Sequence, residues 1–371
     1  MSSPGLRLAL AGGGTGGHLV PGLALLDHLV AGKGPAPLDL LWFQSGRAVE
    51  ERVLEGLEDR MAPTPVARVR LALEPPGGGA PSTLRTLMHL MPAVLRARRA
   101  LRAHQSDVLL GLGGFTSAPA ALAAKSLGIP FALLEINATS GRATRLLSPL
   151  AKKVFHATQA TCPQSKSSRH LVTGAPVSPS FRRRTEEDLS ARRALGFDPA
   201  QPLLVVLGGS QGAGGLNQFL AKYDHEFAAA GISVFHAVGP GRQSEAPAGR
   251  TGLVVTEFAR EVPTLLAAAT LVLCRGGAST LAEVMAVGTP AMVVPYPHHT
   301  DRHQERNAAL LGDGCRIVQE EDLDRSLFEE LCLLMGDRGK LRLENMSGAL
   351  RTAGGPPAAE QILAAMLSSL E

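Results

Sequence analysis

Short apolar runs rich in Leu, Val and Ala recur along the chain. Between them lie stretches whose apolar residues return every third or fourth position. In the first half the runs are Leu6–Ala11, Leu38–Phe43, Val66–Leu71, Val108–Leu112, Pro130–Leu134, Lys153–Ala157 and His170–Thr173. The helical stretches are Pro21–Val30, Ala48–Leu57, Leu84–His104 and Ala118–Leu127, with Pro92 expected to kink the third or start a second helix. Buried runs alternating with amphipathic ones predict an α/β fold, a parallel sheet with helices on both faces. The pattern then restarts. Leu203–Leu207, Ser233–Val238, Leu253–Thr256, Leu271–Cys274, Ala291–Val294 and Arg316–Val318 read as a second set of strands. Asn217–Ala229, Val262–Ala268, Thr280–Val287 and His303–Leu311 read as their helices.

The stretch Gly174–Pro202 is rich in Pro, Arg and Ser and holds a boundary. Gly354-Gly355-Pro356-Pro357 precedes a last amphipathic stretch, Ala358–Leu370, expected to return to the first domain. The expected domains are therefore residues 1–174 with 355–371, and residues 175–354. Glu74–Pro81 reads as a Pro/Gly-rich loop.

Two glycine-rich loops stand in matching places. Gly12-Gly13-Gly14-Thr15-Gly16-Gly17-His18 follows the first strand, and Gly208-Gly209-Ser210-Gln211-Gly212-Ala213-Gly214-Gly215 follows the first strand of the second set. A strand running through glycines into a helix presents free N–H groups and a partial positive charge, which suits phosphate. Two such units predict two doubly wound, Rossmann-like domains facing across a cleft, with a phosphorylated ligand. Gly12, Gly14 and Gly17 also fit the dinucleotide pattern. However, the second strand ends Phe43-Gln44-Ser45 with no acid for a ribose, although Arg47 would suit a 2′-phosphate.

Composition narrows the classes. Hydrophobic residues make up 45% of the 371 and charged residues 19%, so two large cores are within reach. No apolar run reaches the ~18 residues of a membrane span, and no signal peptide is expected. Cys162, Cys274, Cys315 and Cys332 lack metal or disulfide spacing. A net charge of +4 suits anionic ligands or an anionic membrane surface. With two Tyr and one Trp, nucleic acid is not an expected partner. His298, His299, Asp301 and His303 have metal-ligand chemistry, but they follow Pro295 and Pro297 in a loop, and no metal is expected. Leu84, Leu87, Met88, Met91, Val94 and Leu95 follow helical spacing beside Arg85, Arg96, Arg98, Arg99 and Arg102. Such a basic amphipathic stretch can lie on an anionic bilayer.

Gly13–His18 with Pro21-Gly22 resembles the acceptor loop of the MurG family, the bacterial peptidoglycan glycosyltransferases. The resemblance continues through Gly111-Leu112-Gly113-Gly114-Phe115, Gly208–Ala213, Leu216-Asn217-Gln218, Thr256-Glu257-Phe258, Cys274-Arg275 and Asp301-Arg302-His303-Gln304, spanning roughly residues 6 to 318 in order. It implies the GT-B fold, with donor in the C-terminal half and acceptor in the N-terminal half. It implies UDP-N-acetylglucosamine as donor and a polyprenyl-diphosphate muramoyl-pentapeptide as acceptor, at the cytoplasmic face of the cell membrane, with no cofactor. By resemblance Glu283 holds the ribose. Ser210, Gln211 and Gly212 meet the diphosphate, with Ala278 and Ser279. Phe258 and Ala259 line the uracil, and His303 and Gln304 meet the sugar, with Asn307 one turn on. Thr15, Gly16, Gly17 and Asn137 reach the donor sugar. Gly13, Gly14, Thr15, His18 and Phe115 bind the acceptor. The chain departs from the family in two places. Leu134-Glu135-Ile136-Asn137 replaces His-Glu-Gln-Asn, and Ser178 replaces an arginine, with Arg182–Arg184 close by.

The implied reaction is inverting: the acceptor hydroxyl attacks the anomeric carbon opposite UDP, and a base takes its proton. His18 and Glu135 are the candidates; His18, directly after the glycines of the anion loop, is expected to clamp the acceptor diphosphate, and Glu135, flanked by apolar Leu134 and Ile136, is the expected base. The alternatives are a related transferase with another lipid or small-molecule acceptor, a nicotinamide-dependent oxidoreductase, and a nucleotide-sugar binder without turnover.

Overall fold

The computed structural model describes residues 5–34, 37–71, 83–163, 168–181, 189–298, 301–353 and 357–368. The chain forms two compact units, Met1–Pro179 with Gly355–Glu371, and Ser180–Gly354. The expected Glu74–Pro81 loop and Arg182–Arg184 lie outside the described residues.

The first unit holds a seven-stranded sheet. Its strands are β1 (Leu6–Ala11), β2 (Pro37–Gln44), β3 (Val66–Arg70), β4 (Val108–Gly111), β5 (Phe131–Glu135), β6 (Lys153–His156) and β7 (His170–Val172). Their order is β3-β2-β1-β4-β5-β6-β7, parallel throughout. The second unit holds β8 (Leu203–Leu207), β9 (Ser233–Ala237), β10 (Leu253–Thr256), β11 (Leu271–Cys274), β12 (Ala291–Val293) and β13 (Cys315–Ile317). Their order is β10-β9-β8-β11-β12-β13, again all parallel. Helices cover both faces, so the strands read as continuous apolar runs. Leu203, Val205 and Leu207 point into one core layer, while Leu204 and Val206 point into the other. That is the two-residue period of a strand buried on both sides.

Three expectations are corrected. Ala48–Leu57 is not one helix but Ala48–Val53 followed by Leu57–Met61, because Gly56 between them takes the left-handed conformation at φ +73°. Helix Thr83–His104 runs through Pro92 without dividing, the proline being exposed. The helices Arg325–Met335 and Lys340–Ala353 add to the expected set. Asp324 caps the first of them, accepting from the amides of Ser326 and Leu327. The last helix, Ala358–Leu367, packs on helix Val20–Val30 and on β6, with Lys33 paired to Glu360.

Among the described side chains of helix Thr83–His104, Ala93, Ala97 and Leu101 enter the core. Val94 packs against the same core rather than facing out. Met91 and Leu95 are half exposed at 51% and 48%, beside exposed Arg96, Arg99 and Arg102.

Candidate active site

In each sheet the chain reverses its winding between two neighbouring strands, β1 and β4 in one, β8 and β11 in the other. Helices leave these strands to opposite faces, which opens a crevice beyond their carboxyl ends, where doubly wound folds take ligands. All the glycine turns singled out from the sequence lie at these two points.

In the first unit, Gly12–His18 follows β1 and Leu112–Ser117 follows β4. Gly14 takes φ +94°, and Gly113 and Gly114 take +97° and +76°. His18 closes a short 3-10 turn, Gly16–His18, and its Nδ1 lies 3.2 Å from Thr15 Oγ1. Its ring packs on the second turn: a Cβ at Gly113 would stand 2.9 Å from the imidazole, and one at Gly114 3.1 Å. A Cβ at Gly114 would first meet the Gly13 carbonyl, at 2.1 Å, and both residues take positive φ, so glycine is required at each. The Ser117 hydroxyl accepts from the Gly113 amide and bonds to the Ala11 carbonyl, tying the two turns together. Phe115 is 44% exposed beside Gly14.

Glu135 ends β5 and is buried. Its carboxylate accepts from the Asn137 amide, the Asn137 side chain and, at 2.7 Å, the Gly141 amide. The carboxylate therefore organises residues 137–141 and holds Asn137 at the strand end. The apolar flanks Leu134 and Ile136 are core residues.

In the second unit, Gly209 and Gly212 take φ +80° and +73°. A Cβ at Gly212 would meet the Val238 carbonyl at 2.3 Å, so the turn after β8 touches the turn after β9 directly. Helix Gly214–Ala229 starts there. The Ser210 hydroxyl and the Gln211 side chain make no hydrogen bond among the described residues. The second turn, Arg275-Gly276-Gly277, leads from β11 into helix Ala278–Val287, with Ala278 and Ser279 half-buried in its first turn.

Glu283 lies further along that helix, and a rise of 1.5 Å per residue puts it about 7 Å from the first residue. It is half-buried and makes no hydrogen bond or ion pair among the described residues. Burial pushes its carboxyl up to about 8. An unpaired acid in such a crevice is a candidate functional group. Gln304 is already partly used, its Oε1 accepting from the amides of Gly276 and Tyr296. The Asn307 side chain donates to the Gly276 carbonyl, so Asn307 supports the turn from beneath. Asp301 accepts from His303 Nδ1 at 2.8 Å, which fixes the ring's tautomer. His299 lies outside the described residues. Phe258 and Ala259 are half-buried just after β10, where the Thr256 hydroxyl bonds both backbone groups of Phe258.

Several supporting residues had no sequence assignment. Asn217 donates to the Val238 carbonyl and to Glu245, and its Oδ1 accepts from His236 Nε2. Burial pushes His236 down to about 4, so the ring is a neutral donor. Arg275 pairs with Glu320 at 2.5 Å and donates to the carbonyls of Val294 and Pro295. Glu320 lies against Gly215, where a Cβ would stand 2.6 Å from its carboxylate. Glu50, fully buried, reaches the first glycine loop, and Arg47 donates to the Gly14 carbonyl. Glu50 at the third helical position accepts from the N-cap amide of Arg47, the acid half of a capping box, while Arg47 has no acceptor to supply the other half.

Residues 8–156 match the glycosyltransferase family 28 N-terminal domain, and residues 203–362 match its C-terminal domain. The UDP-N-acetylglucosamine–N-acetylmuramyl-(pentapeptide) pyrophosphoryl-undecaprenol N-acetylglucosamine transferase of Frankia casuarinae is 35% identical over 373 residues, covering 96% of this chain and 94% of the relative. The enzyme of the same name from Magnetococcus marinus is 37% identical, covering 84% and 83%. Among solved structures, Acinetobacter baumannii MurG superposes with a TM-score of 0.66 at 25% identity, covering 97% of this chain and 98% of that one. The two parallel sheets are thus those of a GT-B glycosyltransferase, and the chain belongs to the MurG family within glycosyltransferase family 28.

Proposed function

We propose that the protein transfers N-acetylglucosamine from UDP-N-acetylglucosamine to the muramoyl 4-hydroxyl of a polyprenyl-diphosphate muramoyl-pentapeptide, lipid I. One observation carries the donor side: the unpaired Glu283 carboxylate, about one and a half helical turns beyond a glycine turn at the β8–β11 switch point. The 209–211 turn and the start of helix Ala278–Val287 suit the diphosphate, with Ser210 and Gln211. Glu283 then lies at the distance of the ribose, whose two hydroxyls a carboxylate can accept. Phe258 and Ala259 line the uracil, and His303 and the Gln304 side-chain NH2 meet the sugar. Gly13, Gly14, Thr15, His18 and Phe115 form the acceptor side, with Gly16, Gly17 and Asn137 directed to the transferred sugar.

In the reaction the 4-hydroxyl oxygen bonds to the anomeric carbon, the carbon–oxygen bond to UDP breaks from the opposite face, and the linkage inverts. The bonding pair leaves with UDP, where helix N-termini and loop amides meet the charge as a fixed electrostatic device. The hydroxyl proton passes to a base. Glu135 spends its oxygens on Asn137 and Gly141, which supports His18 as the acceptor of that proton and Glu135 as the holder of Asn137.

The deciding experiment is incubation of the purified protein with UDP-N-acetylglucosamine and lipid I, with the disaccharide lipid as product. Formation of that product on a diacylglycerol but not on lipid I would favour a different acceptor. Calorimetry with UDP, ADP and GDP is expected to show UDP bound at least tenfold more tightly, since the half-buried Phe258–Ala259 segment, with its small Ala259 side chain, leaves room for a small flat base; equal affinities would rule this out.

The exposed pair Met91 and Leu95, ringed by Arg96, Arg99 and Arg102, supports peripheral binding to an anionic membrane face, where the lipid acceptor resides. Leu95→Glu is expected to lower co-sedimentation with phosphatidylglycerol vesicles several-fold. Sedimentation equal to the parent's would remove this surface from the membrane contact.

A further inference from the structure

We infer that Glu50 and Arg47 are positioning residues that hold the Gly14 peptide, and that Glu50 is itself the anion bound by the first glycine loop. The inference rests on the acceptor-side reading above. Glu50 is fully buried, and its carboxylate accepts from the Ser45 hydroxyl at 2.5 Å, the Gly46 amide at 2.7 Å and the Arg47 amide at 3.3 Å. Those three donors belong to its own turn and satisfy the start of helix Ala48–Val53. The fourth donor is the Gly14 amide at 2.5 Å, from a loop 36 residues earlier. Next to it Arg47 Nη1 donates to the Gly14 carbonyl at 3.0 Å. The peptide groups on both sides of Gly14 are thus gripped from one turn. A Cβ at Gly13 would stand 2.8 Å from Glu50 Oε1, so the presence of the carboxylate also accounts for that glycine.

The consequence concerns which groups remain for a ligand. In a dinucleotide-binding loop the glycine amides receive a phosphate; here the Gly14 amide is occupied by a charge-assisted bond to an internal carboxylate. A second anion at that amide would face the buried negative charge. The Gly14 amide is therefore not open to the acceptor diphosphate, and the Gly14 grip sets the direction in which Thr15 and His18 stand. Arg47, which a 2′-phosphate would need, is committed to the Gly14 carbonyl.

The test compares Glu50→Gln, Arg47→Met and Arg47→Lys in the full-length enzyme, with KM for donor and acceptor measured separately. Glu50→Gln keeps the shape but turns one acceptor into a donor facing the amides. Misplacing a reacting group by about 1 Å can cost ~10²-fold, so acceptor kcat/KM is expected to fall by that order while donor KM stays within about twofold. Arg47→Met is expected to give a smaller loss of the same kind, about tenfold, restored in part by Arg47→Lys, which can still donate once to the carbonyl. Arg47 is exposed, so its variants carry the test if Glu50→Gln does not fold. Parental acceptor kinetics in a folded Glu50→Gln, or in Arg47→Met, would overturn the inference, as would equal losses on both substrates with a lowered Tm. A readout without turnover is the Gly14 amide proton in NMR. It is expected well downfield in the parent and shifted upfield in Glu50→Gln; an ordinary position in the parent would overturn the inference. If the parent transfers nothing to lipid I, the functional reading fails, and the amide resonance still decides the grip itself.

Discussion

His18→Ala is expected to lower kcat by about 10²–10⁴-fold with donor KM little changed, the signature of a lost general base. The imidazole stands at the β1–β4 switch point, its Nδ1 bonded to Thr15 Oγ1 and its ring seated on Gly113 and Gly114. That seat leaves few orientations, and a base must be held within hydrogen-bond reach of the hydroxyl it serves. Steady-state kinetics with lipid I in excess separates the possible roles. If the residue clamps the acceptor diphosphate instead, acceptor KM rises while kcat is kept. Glu135→Gln is the companion measurement. It should cost less than His18→Ala, because the amide retains an oxygen for the Gly141 or Asn137 amide. Near-parental kcat in His18→Ala with a collapsed kcat in Glu135→Gln would transfer the base role to Glu135.

The second large effect is at Glu283. Glu283→Ala is expected to raise donor KM by roughly 30-fold, about 2 kcal/mol for a lost charge-assisted pair of hydrogen bonds, with kcat nearly intact. The ribose lies away from the bond that breaks, so the carboxylate contributes equally to ground and transition states. Unchanged donor kinetics would refute the role. The pH dependence has a definite sign. With its carboxyl pushed up to about 8, the residue is largely protonated at neutral pH in the free enzyme. If the ionised form accepts the ribose hydroxyls, donor 1/KM rises with pH up to about 8 and then levels, and Glu283→Gln flattens the profile.

The same group costs stability. Unfolded, the carboxyl ionises near 4.5; folded, near 8. The folded state therefore binds the extra proton between these values, and stability falls as pH rises through that window. Glu283→Gln should raise Tm above pH 8, and the gain should vanish below 4.5. The gain is about 1–2 kcal/mol, reduced from the full shift because the half-buried carboxyl keeps contact with water. Equal melting temperatures at high pH would show that the acid is solvated in the folded state.

Period and punctuation in the chain were enough for the two parallel sheets. Strands buried on both faces must be apolar throughout, and Leu203–Leu207 or Leu6–Ala11 can be little else. Glycine runs after the first strand of each set mark positions where the backbone takes positive φ or where another group approaches closely: Gly14 has the first, and Gly212 has both. Motif order carried the family. Local reading failed where distant contacts outweigh local preference. Pro92 does not start a second helix: it lies exposed within helix Thr83–His104, which Ala93, Ala97 and Leu101 anchor to the core despite the lost backbone bond. Val94 packs inward although it sits in the expected outward stripe.

What only the tertiary structure decided is which polar groups are already spent. Nothing in a string of residues says that Glu135 is occupied by Asn137 and Gly141, that Gln304 and Asn307 hold Gly276, or that Glu50 fills the anion place of the first glycine loop. Gln304, Asn307 and Glu50 reach from helices to glycine turns remote in sequence, partners that follow from the packing of whole helices on the sheet, whereas Glu135 turns to the loop that follows its own strand. Residue type and spacing establish what chemistry a side chain carries. Whether that chemistry is free for a substrate depends on the donors and acceptors that folding brings within about 3 Å, because a buried polar group must be paired. Glu283, half-buried and without a hydrogen bond or ion pair among the described residues, keeps its carboxylate for a ligand in the proposed function.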